Sequence, residues 1–154
     1  MAGLTAVLDT QVWLDWLVFD DPSAAPIREA VAAGRLRIVI DEACEAELAR
    51  VLAYDLGNHT LDPVRQGECV ARCRRLASRV AVGIPADLPK CRDPDDQKFL
   101  ELAAGAGAQV LISKDQAVLA LAPRVAQFRI ELRWLRKLAD ELDRRGPARH
   151  PQVL

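Results

Sequence analysis

The chain of 154 residues is 51% hydrophobic and 28% charged, with a net charge of −1. That length and balance suit one domain with its own core and exclude a wholly disordered chain. No apolar run approaches the roughly 18 residues of a membrane span, and MAGLTAVL has no basic segment ahead of Asp9, so the expectation is a cytoplasmic protein without signal peptide or membrane anchor.

Residues 4–8 (LTAVL) form a short apolar run that predicts a buried strand. Residues 11–18 (QVWLDWLV) follow as a short helix, ended by the turn at Asp20, Asp21 and Pro22. A second helix over 27–33 stops at Gly34. Residues 36–40 (LRIVI) are rich in β-branched side chains and predict a strand. The stretch 41–54 is helical, Gly57 and Asn58 break it, and Asp62-Pro63 opens another helix through 78. A short strand is expected at 80–82, then a proline-containing loop over 84–92. Asp93 at the N-cap and Pro94 at the first helical position start a helix that reaches Gly105 or Gly107. A strand at 109–112, a helix at 116–121, a last strand at 127–130 and a closing helix at 132–144 complete the pattern. The expected domain spans 1–145, with 146–154 a flexible tail. Strands alternating with helices imply a parallel sheet covered on both faces, whose ligands bind beyond the carboxyl ends of the strands.

Charge is unevenly spread. Residues 65–79 hold five bases against one acid, and 124–149 hold eight against four, which leaves −9 on the rest. Such a division suits a cation in one place and phosphate in another, and equally suits solvated helix faces. Arginine supplies 17 of the 21 bases, and its planar fork fits phosphate. Arg72, Arg74 and Arg75 are the candidate phosphate contacts. Cys44, Cys69, Cys73 and Cys91 lack zinc-motif spacing to His59 or His150 and are expected to be reduced and buried.

Four acids are candidates for chemistry. Asp9 directly follows the first strand and Asp115 closely follows the 109–112 strand, so both project at one sheet edge. Either alone is also a helix N-cap. Glu47 lies among Ala43, Cys44, Val51 and Tyr54, where a carboxylate is costly unless paired or bound to metal. The alternatives are an ion pair with Arg50 or a reach to water. Asp96 opens the stripe Phe99, Leu100 and Ala103, where it either points inward or compensates the helix dipole. Carboxylates brought together repel, so a cluster needs protons or a cation. Hard oxygen ligands suit Mg²⁺ or Mn²⁺, and such ions activate water and stabilise a phosphodiester transition state.

VLDTQVWL, EAELARVL and CRDPDDQKFLELAAGAGAQVLISKD, with the spacing between them, resemble the PIN-domain family over roughly residues 4–130. The third segment is the most specific. The chain is most similar to the branch of toxin-type members of toxin–antitoxin systems. The resemblance implies an α/β/α sandwich with a parallel sheet and a Mg²⁺- or Mn²⁺-dependent ribonuclease. Its implied metal-binding and catalytic residues are Asp9, Glu47, Asp96 and Asp115, with water rather than a side chain as the attacking group. Ser113 matches the hydroxyl residue two positions before the last acid, and Thr10, Gln11 and Asp93 stand as supporting residues. The implied partners are RNA and an antitoxin protein. The family commonly reads Asp-Thr-Asn where this chain has Asp9-Thr10-Gln11, which lengthens the amide by one methylene. RIELRWLRKLADELDRR departs from the usual ending and is a candidate for RNA binding or a homodimer contact.

Two rivals stand beside this reading. One is a catalytically weak RNA- or protein-binding module of the same fold. The other is a phosphate-handling or receiver-type domain using Asp9, Ser113 and Lys114, which leaves Glu47 and Asp96 unexplained.

Overall fold

A computed structural model describes residues 3–126 and the backbone of residues 131–134. Five parallel strands, β1 (Leu4–Leu8), β2 (Leu36–Ile40), β3 (Ala77–Arg79), β4 (Val110–Ser113) and β5 (Glu131–Trp134), form one sheet in the order β3-β2-β1-β4-β5. Helices flank it in a three-layer α/β/α sandwich, as expected. Strand β4 is buried along its whole length, and the central β1 over its last three residues. A strand covered on both faces reads as a continuous apolar run, which is why VLIS and AVL stand out in the sequence.

The helices are α1 (Thr10–Leu17), α2 (Ala25–Ala32), α3 (Glu42–Leu52), α4 (Pro63–Leu76), α5 (Gln97–Ala106), α6 (Gln116–Leu119) and α7 (Ala122–Val125). Aspartates start four of them: Asp9, Asp41, Asp62 and Asp115 accept from Val12 N, Cys44 N, Arg65 N and Ala117 N at 2.8–2.9 Å. Each satisfies one of the orphan amides of a first turn. Gly107 closes α5 at φ 65°, a left-handed cap that only glycine adopts without strain. Helices α1, α3 and α4 pack on one another, and α5 packs on β1 and β4. The stacked indoles of Trp13 and Trp16, 5.6 Å between centroids, lie in this core. Among the described residues no helix is long and apolar enough to cross a membrane, and all four cysteines are free.

Three expectations are corrected. The third strand lies at 77–79 rather than 80–82: buried Ala77 leaves the helix in extended conformation and pairs with Ile38, and only Val80 N still reaches Ile40 O, at 2.9 Å. The helix at Asp93-Pro94 begins as a 3-10 turn, Pro94–Asp96, before α5. Residues 131–134 continue the sheet instead of opening a helix at 132, because β4 needs a partner on its second side and a four-residue segment fits either period. The expected strand at 127–130, the remainder of the closing helix and the tail at 146–154 lie outside the described residues.

Candidate active site

From β1 the chain moves to β2 and β3 on one side, then crosses to β4 and β5 on the other. The crevice beyond β1 and β4 is therefore the switch point where parallel sheets bind ligands. Asp9 leaves β1 there, its N–H bound to Ile112 O at 3.1 Å. The register that sets Leu8 beside Ile112 brings Ser113 next to Asp9. Asp9 is 7% exposed. Its Oδ1 caps α1, and its Oδ2 accepts from Ser113 Oγ and, at 3.4 Å, from Lys114 N. Ser113 Oγ in turn accepts from Asp115 N at 2.9 Å, so one buried hydroxyl ties the two acids together. Burial pushes the Asp9 carboxyl above its usual range, the bonds from Ser113, Val12 and Lys114 oppose this, and the charge of Asp115 adds to it.

Glu47 reaches the crevice from α3 and is 9% exposed. Thr10 Oγ1 donates to its Oε2, and Lys98 Nζ on α5 lies 2.7 Å from its Oε1. Arg50 is a more distant partner at 3.6 Å. The main counter-ion is thus Lys98, not the Arg50 that helical spacing suggested.

Asp96 stands at the N-cap of α5, yet its side chain makes no capping bond. Its Oδ2 is buried and receives no hydrogen bond from any donor. Burial first, then the charge of Asp115 and a hydrogen bond shared with it, raise the Asp96 carboxyl from 3.8 to about 7. Such a bond between two acids exists only while one holds a proton, which is why it favours the protonated form. Asp93 and Asp9 push in the same direction. Dipole compensation alone does not account for an acid in this setting. Asp93 itself caps the 3-10 turn through Asp95 N, 2.9 Å away.

A cavity of about 260 Å³ is lined by Asp9, Thr10, Gln11, Glu47, Asp96, Phe99, Lys114 and Asp115. All four acids expected from the sequence therefore meet in one place, with Thr10 and Gln11. Ser113 lies behind Asp9 as a support, and Asp93 stays outside. Sequence reasoning passed over Asp15, which is 2% exposed and pairs with Lys114 at 2.9 Å. A charge in the apolar run VWLDWLV was a signal of the same kind as Glu47.

The basic face of α4 divides. Arg74 Nε and Nη2 both bind Oε1 of buried Glu45, at 2.8 and 2.6 Å, and Arg79 lies 3.6 Å from its other oxygen. Arg72 and Arg75 are exposed, and Arg74 is held as a structural counter-ion.

The four carboxyls at the pocket offer oxygen ligands, and the bare, buried Asp96 Oδ2 beside Asp115 is the kind of atom that a proton or a hard cation satisfies. The residues present fit such an ion in donor chemistry and charge. Among the described residues no group of three or more His, Cys, Asp or Glu side chains is already gathered as a metal cage. Comparison with protein families finds a match to the profile described as PIN domain over residues 5–117. No curated protein matches the chain.

Proposed function

The chain belongs to the PIN domain family, and we propose that its pocket is the active site of a Mg²⁺- or Mn²⁺-dependent ribonuclease. The observation that carries this reading is Asp96: a helix-opening acid that caps nothing, keeps one oxygen bare and buried, and stands beside a second acid in a cavity shared with Asp9 and Glu47. Asp9, Asp96 and Asp115 would hold the cation, with Glu47 also lining the pocket. When bound, the ion supplies Lewis acidity toward the phosphate and lowers the pKa of water. Around it the chain's own groups do the positioning. Ser113 fixes the rotamer of Asp9 and the backbone of Asp115, while Thr10 and Lys98 hold Glu47 in place.

On the same reading the partners are an RNA substrate and, for a toxin-type member, an antitoxin protein; a homodimer rests on the sequence RIELRWLRKLADELDRR alone. The test is incubation of the purified protein with single-stranded and structured RNA in Mg²⁺, Mn²⁺ or EDTA, with Asp9→Asn as control. Cleavage in metal and none in EDTA or in the variant is expected. Cleavage undiminished by EDTA overturns the metal mechanism. The second reading, a non-catalytic RNA- or protein-binding module, draws support from the engagement of both Glu47 oxygens by Thr10 and Lys98. It predicts RNA or protein binding with no cleavage under any metal.

A further inference from the structure

Of the described residues lining the pocket, Lys114 alone carries a positive charge, against the carboxyls of Asp9, Glu47, Asp96 and Asp115. A polyanion approaching that wall meets repulsion unless a cation stands in its path. The Lys114 side chain is 36% exposed, and its Nζ lies 2.9 Å from Oδ2 of Asp15, whose side chain is 4% exposed and is not part of the pocket wall. The other oxygen of Asp15 accepts from Gln11 Nε2 at 3.3 Å, one helical turn back on α1. Lys114 N is also tied to Asp9 Oδ2. A chain of contacts, Gln11 to Asp15 to Lys114, therefore holds an ammonium at the pocket. Asp15 occupies one of its three donors and leaves the others free to turn outward.

Burying a carboxylate among Trp13, Leu14, Trp16 and Leu17 is poorly explained by stability, since an apolar pair in such a place is often as good or better. The same arrangement gives Gln11 a partner: its amide reaches Asp15 at 3.3 Å, toward the long end of hydrogen-bond range.

We propose that Lys114 is the phosphate-binding cation of this pocket, and that Asp15 and Gln11 are positioning residues that hold its ammonium there. The proposal rests on the ribonuclease reading for its substrate, and its test separates the two. Binding of a fluorescent single-stranded RNA oligonucleotide is measured in EDTA, where no metal-dependent cleavage intervenes, across a salt series. The double variant Asp15→Asn/Lys114→Gln removes both charges and leaves no orphaned partner; its circular dichroism is compared with that of the wild type. Expected is weaker binding, with the slope of log K against log salt shallower by about 0.7, the loss of one contact to a single strand. Lys114→Gln alone is the second variant, since the introduced amide still donates to Asp15, and Lys114→Arg should restore the slope. Asp15→Asn alone keeps the ammonium but loosens it: the slope stays, and the kcat of RNA cleavage falls with KM little changed. A wild-type slope in both charge-removing variants overturns the proposal and leaves a structural ion pair. No binding by the wild type overturns it as well. Binding that responds to Lys114 without cleavage in any metal sinks the ribonuclease reading and leaves the lysine's role standing.

Discussion

Lys98 Nζ lies 2.7 Å from Oε1 of Glu47, and joins the start of α5 to the middle of α3. Both side chains are largely buried, at 22% and 11% exposed. A buried charge that loses its partner is destabilising by ~3–5 kcal/mol when fully enclosed. Partial access at Lys98 and the residual partner Arg50 put Lys98→Met at about 1–3 kcal/mol. Glu47→Gln in the same background should recover part of that loss. Urea melts of the two single variants and the double, read as a double-mutant cycle, check it; additive effects would mean that the ion pair contributes nothing.

Asp96 makes stability depend on pH with an unusual sign. Its folded pKa, about 7, lies above its ordinary 3.8, so the folded chain binds this proton more tightly than the unfolded chain. The resulting stabilisation is complete below about pH 4 and is lost as pH rises to about 7. Solvent screens part of the pair, so the expected loss attributable to Asp96 is about 1–2 kcal/mol. In EDTA, Asp96→Asn should remove that slope and melt higher than the wild type at pH 8. A variant that melts lower there, with the slope intact, would return Asp96 to the role of a helix-end charge.

Divalent metal should offset the same repulsion. Saturating Mg²⁺ or Mn²⁺ is expected to raise the wild-type Tm, with stabilisation near 2.7 kcal/mol at one hundred times Kd. Asp96→Asn and Asp115→Asn should each respond less. Differential scanning calorimetry at pH 7.5 with and without metal measures this, and equal shifts in all three proteins would place any bound ion elsewhere.

The arginines of α4 should separate by function. Arg74→Ala leaves the buried Glu45 with only the 3.6 Å contact of Arg79, so it should lower the Tm. Arg72→Ala and Arg75→Ala, both at exposed positions, should leave the Tm unchanged and weaken RNA binding with a shallower salt dependence. Thermal melts and oligonucleotide titrations on the three variants decide between these roles.

The cysteines should be slow to react. Burial pushes the Cys73 thiol up to about 12 and Cys91 up to about 11, and raises Cys44 and Cys69 as well. Little thiolate exists at neutral pH, and the thiolate is the reactive form. Alkylation of the native protein by iodoacetamide at pH 7.5 should proceed far more slowly than in urea, with half-buried Cys91 modified first.

What the sequence alone determined was local. The runs at 4–8 and 36–40 emerged as strands at their observed bounds because each ends in three buried residues, 6–8 and 38–40, that form a continuous apolar segment. Asp9, Asp41, Asp62, Asp93 and Asp115 could be placed at element starts because a cap involves residues only two or three positions apart. Glu47 and Asp96 stood out as charges on apolar stripes, which marks them as needing partners without saying which. Those partners belong to the tertiary structure. Lys98 is 51 positions from Glu47, Arg74 is 29 from Glu45, and Lys114 is 99 from Asp15. No periodicity reaches across such separations. The strand order, which sets β4 against β1 and so brings Ser113 and Asp115 to Asp9, is decided by crossover packing, and the four-residue ELRW segment became a strand only because β4 offered it an open edge.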